Sequence, residues 1–272
     1  MSEMTLEMET LKSRLKATWN AGNYGTIARD LESSAAEFLG RISFEHGECL
    51  LDVACGTGQI AFPAVRAGAV ATGIDIASNS IEQARIRAQE EGLNIRFDEG
   101  DAEDMPYGDV SFDLVISLIG AMFAPRPERV VAEMLRVCRS DGRVIMGNWT
   151  PEGFIGQMFK LVGKYVPPPS LMPSPLMWGD ETIVRERLKM GVKNLRVTKW
   201  TYPLQYPYQP REVVKAYATY FGPTNRALAV LDEEGQEALC NDLEKLWAEH
   251  NMATDGTTFV EAEILEVVAV RE

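Results

Sequence analysis

The segment that most constrains the fold of this chain is an apolar run that leads into a glycine-rich turn. It reads LLDVACGTGQIA from Leu50 to Ala61. The apolar residues predict a buried strand, and the pattern that follows predicts a helix beginning near Gln59. Gly56 and Gly58 leave bare backbone that a ligand can approach closely at the carboxyl end of the strand. The segment therefore predicts the outline of a nucleotide pocket.

Strand and helix patterns alternate through the next hundred residues. Strands separated by helical patterns of this length indicate a parallel sheet built from right-handed crossovers. Residues 45–150 are therefore expected to form one doubly wound α/β core. The predicted strands are Cys49–Ala54, Val70–Asp75, Ile95–Glu99, Phe112–Ser117 and Gly142–Asn148, and the predicted helices are 59–67, 80–91 and 126–138.

Two flanking regions have different patterns. Residues 1–44 carry two helical patterns, over 5–20 and from Ile27 to Leu39, and are expected to form an N-terminal helical arm. Residues 151–272 begin with a helix and continue through a proline-rich stretch at 167–169. This last part is expected to supply a helical cap and final strands that complete the same sheet, with Thr257–Val270 as the last of them.

The charge balance argues against polyanionic partners. Twenty-seven basic and forty acidic residues leave a formal net charge of −13, which would repel nucleic acid and anionic lipid. The first sixteen residues are charged throughout, and no later run approaches the roughly 18 apolar residues of a membrane span. A cytoplasmic protein is expected, and both a monomer and a homodimer remain open.

Cysteine and histidine spacing argues against a metal centre. The four cysteines, Cys49, Cys55, Cys138 and Cys240, show no CxxC pair, and the only histidines, His46 and His250, are far apart in the sequence. Neither a metal site nor a disulfide framework is expected.

The glycine motif alone fits two families of enzymes. Gly56-x-Gly58-x-x-Ala61 satisfies the dinucleotide fingerprint, and Asp75 ends the second strand where a ribose-binding acid is required. A nicotinamide-dependent oxidoreductase is therefore one alternative. Two later motifs discriminate: an acid two residues after the third strand, at Asp101, and the run Ser111–Ser117.

Together, these motifs resemble those of the class I S-adenosylmethionine-dependent methyltransferases, in particular the ubiquinone/menaquinone-biosynthesis type and its small-molecule relatives. The resemblance covers residues 48–150. It implies a Rossmann-like, mostly parallel seven-stranded sheet with an antiparallel last strand. It also implies methyl transfer from S-adenosyl-L-methionine, with S-adenosyl-L-homocysteine as product. A non-catalytic S-adenosylmethionine-binding module is a further alternative.

The resemblance assigns roles to individual positions of the cofactor site. Asp52 would lie beside the ammonium group, Asp75 would accept hydrogen bonds from both ribose hydroxyls, and Asp101 would accept one from the adenine amino group. Where this chain has Ala54, the family often has glycine. The other predicted cofactor residues are Ala54, Cys55, Gly56 and Gly58 under the methionine moiety, Ile76 and Asn79 beside ribose and adenine, the Ala102 backbone at the adenine ring, and Ser117 beside the sulfonium.

The expected chemistry requires no dedicated catalytic side chain. Methyl transfer is an in-line displacement that alignment and exclusion of water can drive, and a general base is needed only if the acceptor must lose a proton. His46 and His250 are candidate bases by residue type alone. The expected acceptor is a small, partly apolar metabolite, methylated at O, N or C, in a pocket formed by Trp19, Tyr24, Met122, Phe123 and Trp149.

Overall fold

A seven-stranded sheet organises the part of the chain that the computed structural model describes, residues 3–169 and 171–272. Met1 and Ser2 of the predicted arm lie outside the described residues. The spatial order is β3-β2-β1-β4-β5-β7-β6. The strands are β1 Cys49–Val53, β2 Val70–Asp75, β3 Arg96–Glu99, β4 Phe112–Leu118, β5 Cys138–Trp149, β6 Val192–Tyr206 and β7 Thr258–Arg271.

The first five strands run parallel, and the last two complete the sheet. β7 inserts antiparallel beside β5, and β6 then pairs antiparallel with β7 at the edge. Leu50 and Leu51 of β1 are fully buried, as expected for a central strand covered by helices on both faces. This arrangement confirms the predicted Rossmann-like sheet with an antiparallel last strand.

Helices cover both faces and the carboxyl ends of the parallel strands. They are α1 Glu3–Ala21, α2 Tyr24–Asp30, α3 Glu32–Gly40, α4 Ala61–Arg66, α5 Ser78–Glu90, α6 Pro127–Val137, α7 Phe154–Tyr165, α8 Glu181–Arg187, α9 Pro210–Tyr220, α10 Gly222–Ala229 and α11 Glu233–His250. Within the described residues, none of these helices combines the length and apolarity needed to cross a membrane.

Several predicted boundaries were wrong. The helical pattern from Ile27 to Leu39 is broken at Leu31, whose non-helical backbone separates α2 from α3. The helix expected from Gln59 begins only at Ala61, because the preceding residues form the turns of the glycine loop. β5 begins at Cys138, four residues before the predicted strand that starts at Gly142.

The N-terminal arm is tied to the carboxyl ends of the strands. On α1, Lys16 pairs with Glu99 at the end of β3. Further along α1, the Asn20 carbonyl and side chain accept hydrogen bonds from Asn79 at the start of α5, at 3.3 and 3.2 Å. These contacts place α1 over the edge of the sheet where a ligand of a doubly wound fold binds.

The cap helices pack on one another through aromatic side chains. Phe154 of α7 meets Trp247 of α11 with ring centroids 4.6 Å apart, and Trp247 is almost completely buried. Tyr217 of α9 packs on the same tryptophan at 5.5 Å. The cap is thus continuous with the core, and its inner surface faces the ends of β1, β4 and β5.

Candidate functional site

The glycine loop between β1 and α4 has an unusual backbone. Ala54, Gly56 and Gly58 all have positive φ angles, of 56°, 55° and 91°. Glycine adopts this region without a Cβ penalty. At Gly58 space is also limiting, since a Cβ atom there would lie 2.7 Å from the ring of Phe62. The loop can therefore turn sharply from strand to helix.

Ala54 is the position where the family often has glycine, and Gly120 compensates for its side chain. A Cβ atom at Gly120 would lie 2.6 Å from both the Cβ and the carbonyl oxygen of Ala54. The turn after β4 thus leaves room for the alanine. The left-handed conformation of Ala54 still costs about 1–2 kcal/mol, which the surrounding loop must offset.

Asp75 ends β2 and fastens the glycine loop. Its Oδ2 accepts a hydrogen bond from the Gly56 backbone N–H at 2.8 Å, and its Oδ1 accepts one from the Ala77 N–H at 2.8 Å. The side chain is half-buried and borders a cleft. Burial raises the pKa of this carboxyl group, and the backbone hydrogen bonds counteract part of the rise. Both oxygens retain lone pairs for a further donor.

Asp52 lies deeper, at the end of β1, with 2% of its surface exposed. Its Oδ2 accepts a hydrogen bond from the Ala61 N–H at 3.0 Å. Burial raises its pKa to about 7, the hydrogen bond from Ala61 works against that rise, and the charge of Asp75 adds to it. A nearby ligand cation would compensate this buried carboxylate.

Asp101 follows β3 and is engaged by the arm. The Lys12 ammonium of α1 pairs with its carboxylate and also contacts Glu103 Oε2 at 2.7 Å. The Glu103 side chain is fully buried and also accepts hydrogen bonds from the Arg126 backbone and guanidinium at 2.7 Å each. Sequence reasoning missed Lys12, since a lysine on a charged helix carries no distinguishing signal.

These groups share one cleft of about 1500 Å³, including its open mouth. It runs from the carboxyl ends of β1–β3 to the cap. Eight of the predicted cofactor residues and four of the predicted acceptor residues line it: Asp52, Ala54, Cys55, Gly56, Asp75, Ile76, Asp101 and Ala102, and Trp19, Tyr24, Phe123 and Trp149.

Four predicted site residues are not among those that line the cleft. Gly58 lies behind the loop, against Phe62. Asn79 donates to the carbonyls of Asn20 and Gly22, and so joins α5 to the arm. The last two, Ser117 and Met122, are both 1% exposed.

Ser117 has a bracing role in the structure. Its hydroxyl donates to the Val53 carbonyl at 2.8 Å and accepts from the Ala121 N–H at 2.9 Å. The first hydrogen bond joins the ends of β1 and β4 beneath the glycine loop, and the second fixes the turn that follows β4. With its donor and one acceptor site used, the hydroxyl supports the site from behind.

The cap end of the cleft is walled by aromatic rings, and we call it the aromatic chamber. The Trp19 ring lies 5.1 Å from Phe123 between centroids, and Trp149 lies 5.4 Å from Tyr202. Sequence reasoning missed the contributions of α9 and β6, although the alternation of buried Tyr202, Leu204 and Tyr206 is a signal for an inward face. The rings of the chamber are Trp19, Tyr24, Phe123, Trp149, Phe159, Tyr202, Tyr217 and Phe221.

The other titratable groups considered from sequence lie elsewhere or are unreactive. His46 packs against Gly68, and His250 Nδ1 lies 3.0 Å from the Leu246 carbonyl oxygen, so neither histidine lines the cleft. Burial raises the pKa of the Cys55 thiol well above its usual range. In the described ranges, no cluster of three His, Cys, Asp or Glu residues is arranged to hold a metal ion.

Comparison with known proteins decides the family. Residues 51–146 match the family model described as a methyltransferase domain. An uncharacterised protein of Mycobacterium tuberculosis, Rv1403c, is 33% identical over 256 residues, which cover 88% of this chain and 93% of the relative. The methyltransferase GfsG of Streptomyces halstedii is 34% identical over 47% of each chain. The chain belongs to the class I S-adenosylmethionine-dependent methyltransferases.

Solved structures show the same fold for this methyltransferase. The YcgJ protein of Bacillus subtilis superposes with a TM-score of 0.60 at 20% identity, covering 88% of this chain and 99% of that protein. Phosphoethanolamine N-methyltransferase 2 of Haemonchus contortus, in complex with S-adenosyl-L-methionine, gives 0.58 at 18% identity, covering 88% of this chain and 52% of that protein. The ubiquinone/menaquinone-type branch stays a prediction.

Proposed function

We propose that this protein transfers the methyl group of S-adenosyl-L-methionine to a small, partly apolar metabolite. The observation that carries the proposal is one continuous cleft with acidic groups and open backbone at one end and the aromatic chamber at the other. The first end suits a nucleoside with an ammonium group, and the second suits an apolar acceptor. Binding of the same cofactor by the Haemonchus contortus enzyme supports the assignment.

The residues at the acidic end fit the cofactor chemically. Asp75 offers two carboxylate oxygens for the ribose hydroxyls, and charge-assisted hydrogen bonds of this kind are about twice as strong as neutral ones. Gly56 presents bare backbone to the cleft. The Tyr24 ring borders this position, 3.8 Å from where a Cβ atom of residue 56 would lie. Asp52 would balance the ammonium group, and Asp101, shared with Lys12, would meet the adenine amino group.

When bound, the cofactor supplies a sulfonium methyl group and leaves as S-adenosyl-L-homocysteine. The chain's own contribution is positioning. The glycine loop, braced by Ser117 and Asp75, would fix the donor end, while the rings of Trp19, Tyr24 and Phe123 would exclude water and orient the acceptor. Alignment and desolvation of this kind supply much of the rate of an in-line displacement.

The experiment that tests the proposal is calorimetric titration of the protein with S-adenosylmethionine, S-adenosylhomocysteine and NAD. We expect saturable binding of both sulfur ligands and none of NAD. Asp75→Asn should weaken binding about ten- to hundredfold, since it weakens two hydrogen bonds to a charged acceptor. Asp109→Asn is the matched control, because Asp109 is an exposed partner of Arg136 far from the cleft lining.

Saturable binding of NAD with no binding of either sulfur ligand would overturn the proposal. If S-adenosylmethionine binds, turnover is tested next with a panel of small, partly apolar acceptors. Release of S-adenosylhomocysteine above the rate without acceptor would establish transfer. Tight cofactor binding without any turnover would favour the non-catalytic alternative.

A further inference from the structure

The aromatic chamber differs sharply from the rest of the cleft in its charge. Four charged side chains line the cleft, namely Lys12, Asp52, Asp75 and Asp101. Asp52 and Asp75 lie at the carboxyl ends of β1 and β2, and Asp101, which pairs with Lys12, follows β3. Within the part of the chain that the structure describes, the chamber wall from the arm, α7, α9 and β6 beyond Lys12 contributes no charged group.

Two carboxylates outside the chamber further disfavour an anion inside it. Asp30 lies behind the wall and accepts a hydrogen bond from the Tyr208 hydroxyl at 2.8 Å, and Glu37 is exposed on α3. Burial is the main cause that raises the pKa of the chamber tyrosines, and these carboxylates add the smallest contributions, Asp30 at Tyr217 and Glu37 at Tyr202. An anion in the chamber would therefore lose its hydration and meet an unfavourable field.

A cation would be disfavoured less than an anion, but it too would lose its hydration. The ring faces attract a cation, but this attraction offsets only part of the cost of removing it from water. No carboxylate among the lining residues of the chamber is available to complete the compensation. An uncharged molecule would incur neither of these desolvation costs.

Three tyrosine hydroxyls supply the polarity that the chamber does have. The Tyr206 and Tyr217 hydroxyl oxygens lie 2.9 Å apart. Tyr206 does not line the cleft, so it can use its only donor on Tyr217, whose own O–H then remains for a ligand. Tyr202 is 2% exposed, and among the described residues no hydrogen bond involves its hydroxyl or that of Tyr24, while neither oxygen is one of the fully buried polar atoms without a partner.

These hydroxyls stay protonated at neutral pH. Burial raises the pKa of Tyr24 to about 12, and burial also raises the pKa values of Tyr202 and Tyr217 above their usual range, although the hydrogen bond with Tyr206 works against the rise at Tyr217. The three phenols can donate to an oxygen or accept from a hydroxyl. All three residues line the cleft, so a ligand oxygen placed there can bond to these hydroxyls in place of water.

We propose that the aromatic chamber recognises an uncharged, ring-containing acceptor that carries a hydroxyl or carbonyl oxygen, and that Tyr202 and Tyr217 bind this oxygen. The two tyrosines are specificity-determining residues. The proposal rests on the proposed function, because it names the acceptor class for the same cleft. The proposal predicts that, on one ring system, a neutral oxygen substituent gives tighter binding than a negatively or positively charged substituent.

Four probes that share one ring system test the preference. They are 2-naphthol, naphthalene, 2-naphthoate and 2-naphthylmethylammonium, each measured by equilibrium dialysis at neutral pH against the full chain saturated with S-adenosylhomocysteine. We expect 2-naphthol to bind at least about tenfold more tightly than either ion, since the chamber offers an ion no partner. Tyr202→Phe and Tyr217→Phe should each weaken 2-naphthol about three- to tenfold and leave naphthalene unchanged.

Tyr165→Phe is the matched control, because its hydroxyl contacts Asp242 on the surface, away from the cleft. Tyr217→Phe also removes the partner of Tyr206, so S-adenosylhomocysteine binding by each variant serves as the test of folding, and Tyr202→Phe stands independently. Equal binding of an ion and 2-naphthol, no binding of 2-naphthol, or equal losses for naphthalene and 2-naphthol would overturn the inference. If S-adenosylhomocysteine fails to bind, the proposed function fails, and dialysis without it still decides the selectivity of the chamber.

Discussion

Asp52 gives the sharpest quantitative prediction, because its carboxyl group is buried and its pKa is about 7. In the proposed site its charged form faces the ammonium group of the cofactor. The charged fraction falls from about nine-tenths at pH 8 to about one-tenth at pH 6. Affinity for S-adenosylhomocysteine should therefore fall about tenfold between these pH values, or about 1.4 kcal/mol.

Asp52→Asn should remove this pH dependence. Asparagine has nearly the same shape, and its carbonyl oxygen can keep the hydrogen bond from the Ala61 N–H. The variant should bind more weakly than the wild type at pH 8 and about as weakly as the wild type at pH 6. Calorimetric titration of both proteins across this range measures the difference, and the variant corrects for titration of the ligand itself.

In the free protein, Asp52→Asn should increase the free energy of unfolding at pH 8, whereas it weakens ligand binding at that pH. A carboxyl group whose pKa rises from 3.8 to about 7 on folding destabilises the folded state by up to about 4 kcal/mol when charged. The folded state binds more protons than the unfolded state between pH 4 and 7. Stability of the wild type relative to Asp52→Asn should therefore fall through this range and stay level above it.

Chemical denaturation of the two proteins at pH 4, 6 and 8 checks this prediction about stability. Parallel pH dependence of both affinity and stability in wild type and Asp52→Asn would refute the reasoning. That result would mean that Asp52 stays ionised throughout, so that the cost of its burial is compensated within the free protein.

Three further substitutions test the supports of the cleft. Lys12→Met should loosen α1 by about 2 kcal/mol, because it removes a partner of buried Glu103, and faster proteolysis within α1 would show it. Ser117→Ala should cost about 2–3 kcal/mol in denaturant unfolding, since two buried backbone groups lose their partner, while S-adenosylhomocysteine affinity changes little. Gly120→Ala should weaken that affinity at least about tenfold, because the new Cβ meets the Ala54 backbone and displaces the loop.

Matched controls separate these effects from general damage. Lys245→Met removes an exposed lysine whose nearest carboxylate is 3.9 Å away, so it should leave proteolysis of α1 unchanged. Gly163→Ala lies in α7 with no heavy atom within 4 Å of the new Cβ, and should be neutral or stabilising by up to about 1 kcal/mol. A large affinity loss in Ser117→Ala at unchanged stability would show that Ser117 contacts the cofactor directly.

The placement of the acidic end of the cleft followed from local pattern. The strand that ends in Asp52, the two glycines and the acid at Asp75 are close in the chain. Their positions depend on strand ends and on backbone conformations that glycine favours. The insertion of the last strand beside β5 was implied by the resemblance and is confirmed by the β5–β7 register.

Local pattern was less informative about which side chains face the cleft. Asn79 and Ser117 lie at the expected strand and helix ends, yet each is engaged with backbone groups of another element. A hydrogen-bond partner that is tens of residues away leaves no mark on the local sequence. Lys12 was missed for the same reason, since its partners Asp101 and Glu103 lie about ninety residues later.

By itself, the sequence determined the alternating strands and helices of residues 45–150, the glycine loop and the carboxylates at the carboxyl ends of β1, β2 and β3, because hydrophobic periodicity and residue conformation act over a few neighbouring residues. Only the tertiary structure decided the aromatic chamber. Its walls come from distant segments, with Tyr24 on α2, Trp149 on β5 and Tyr217 on α9. They meet where the cap covers the sheet, in which β7 lies between β5 and β6. Packing of that kind depends on contacts between segments that are far apart in the chain. Burial of apolar surface stabilises these contacts.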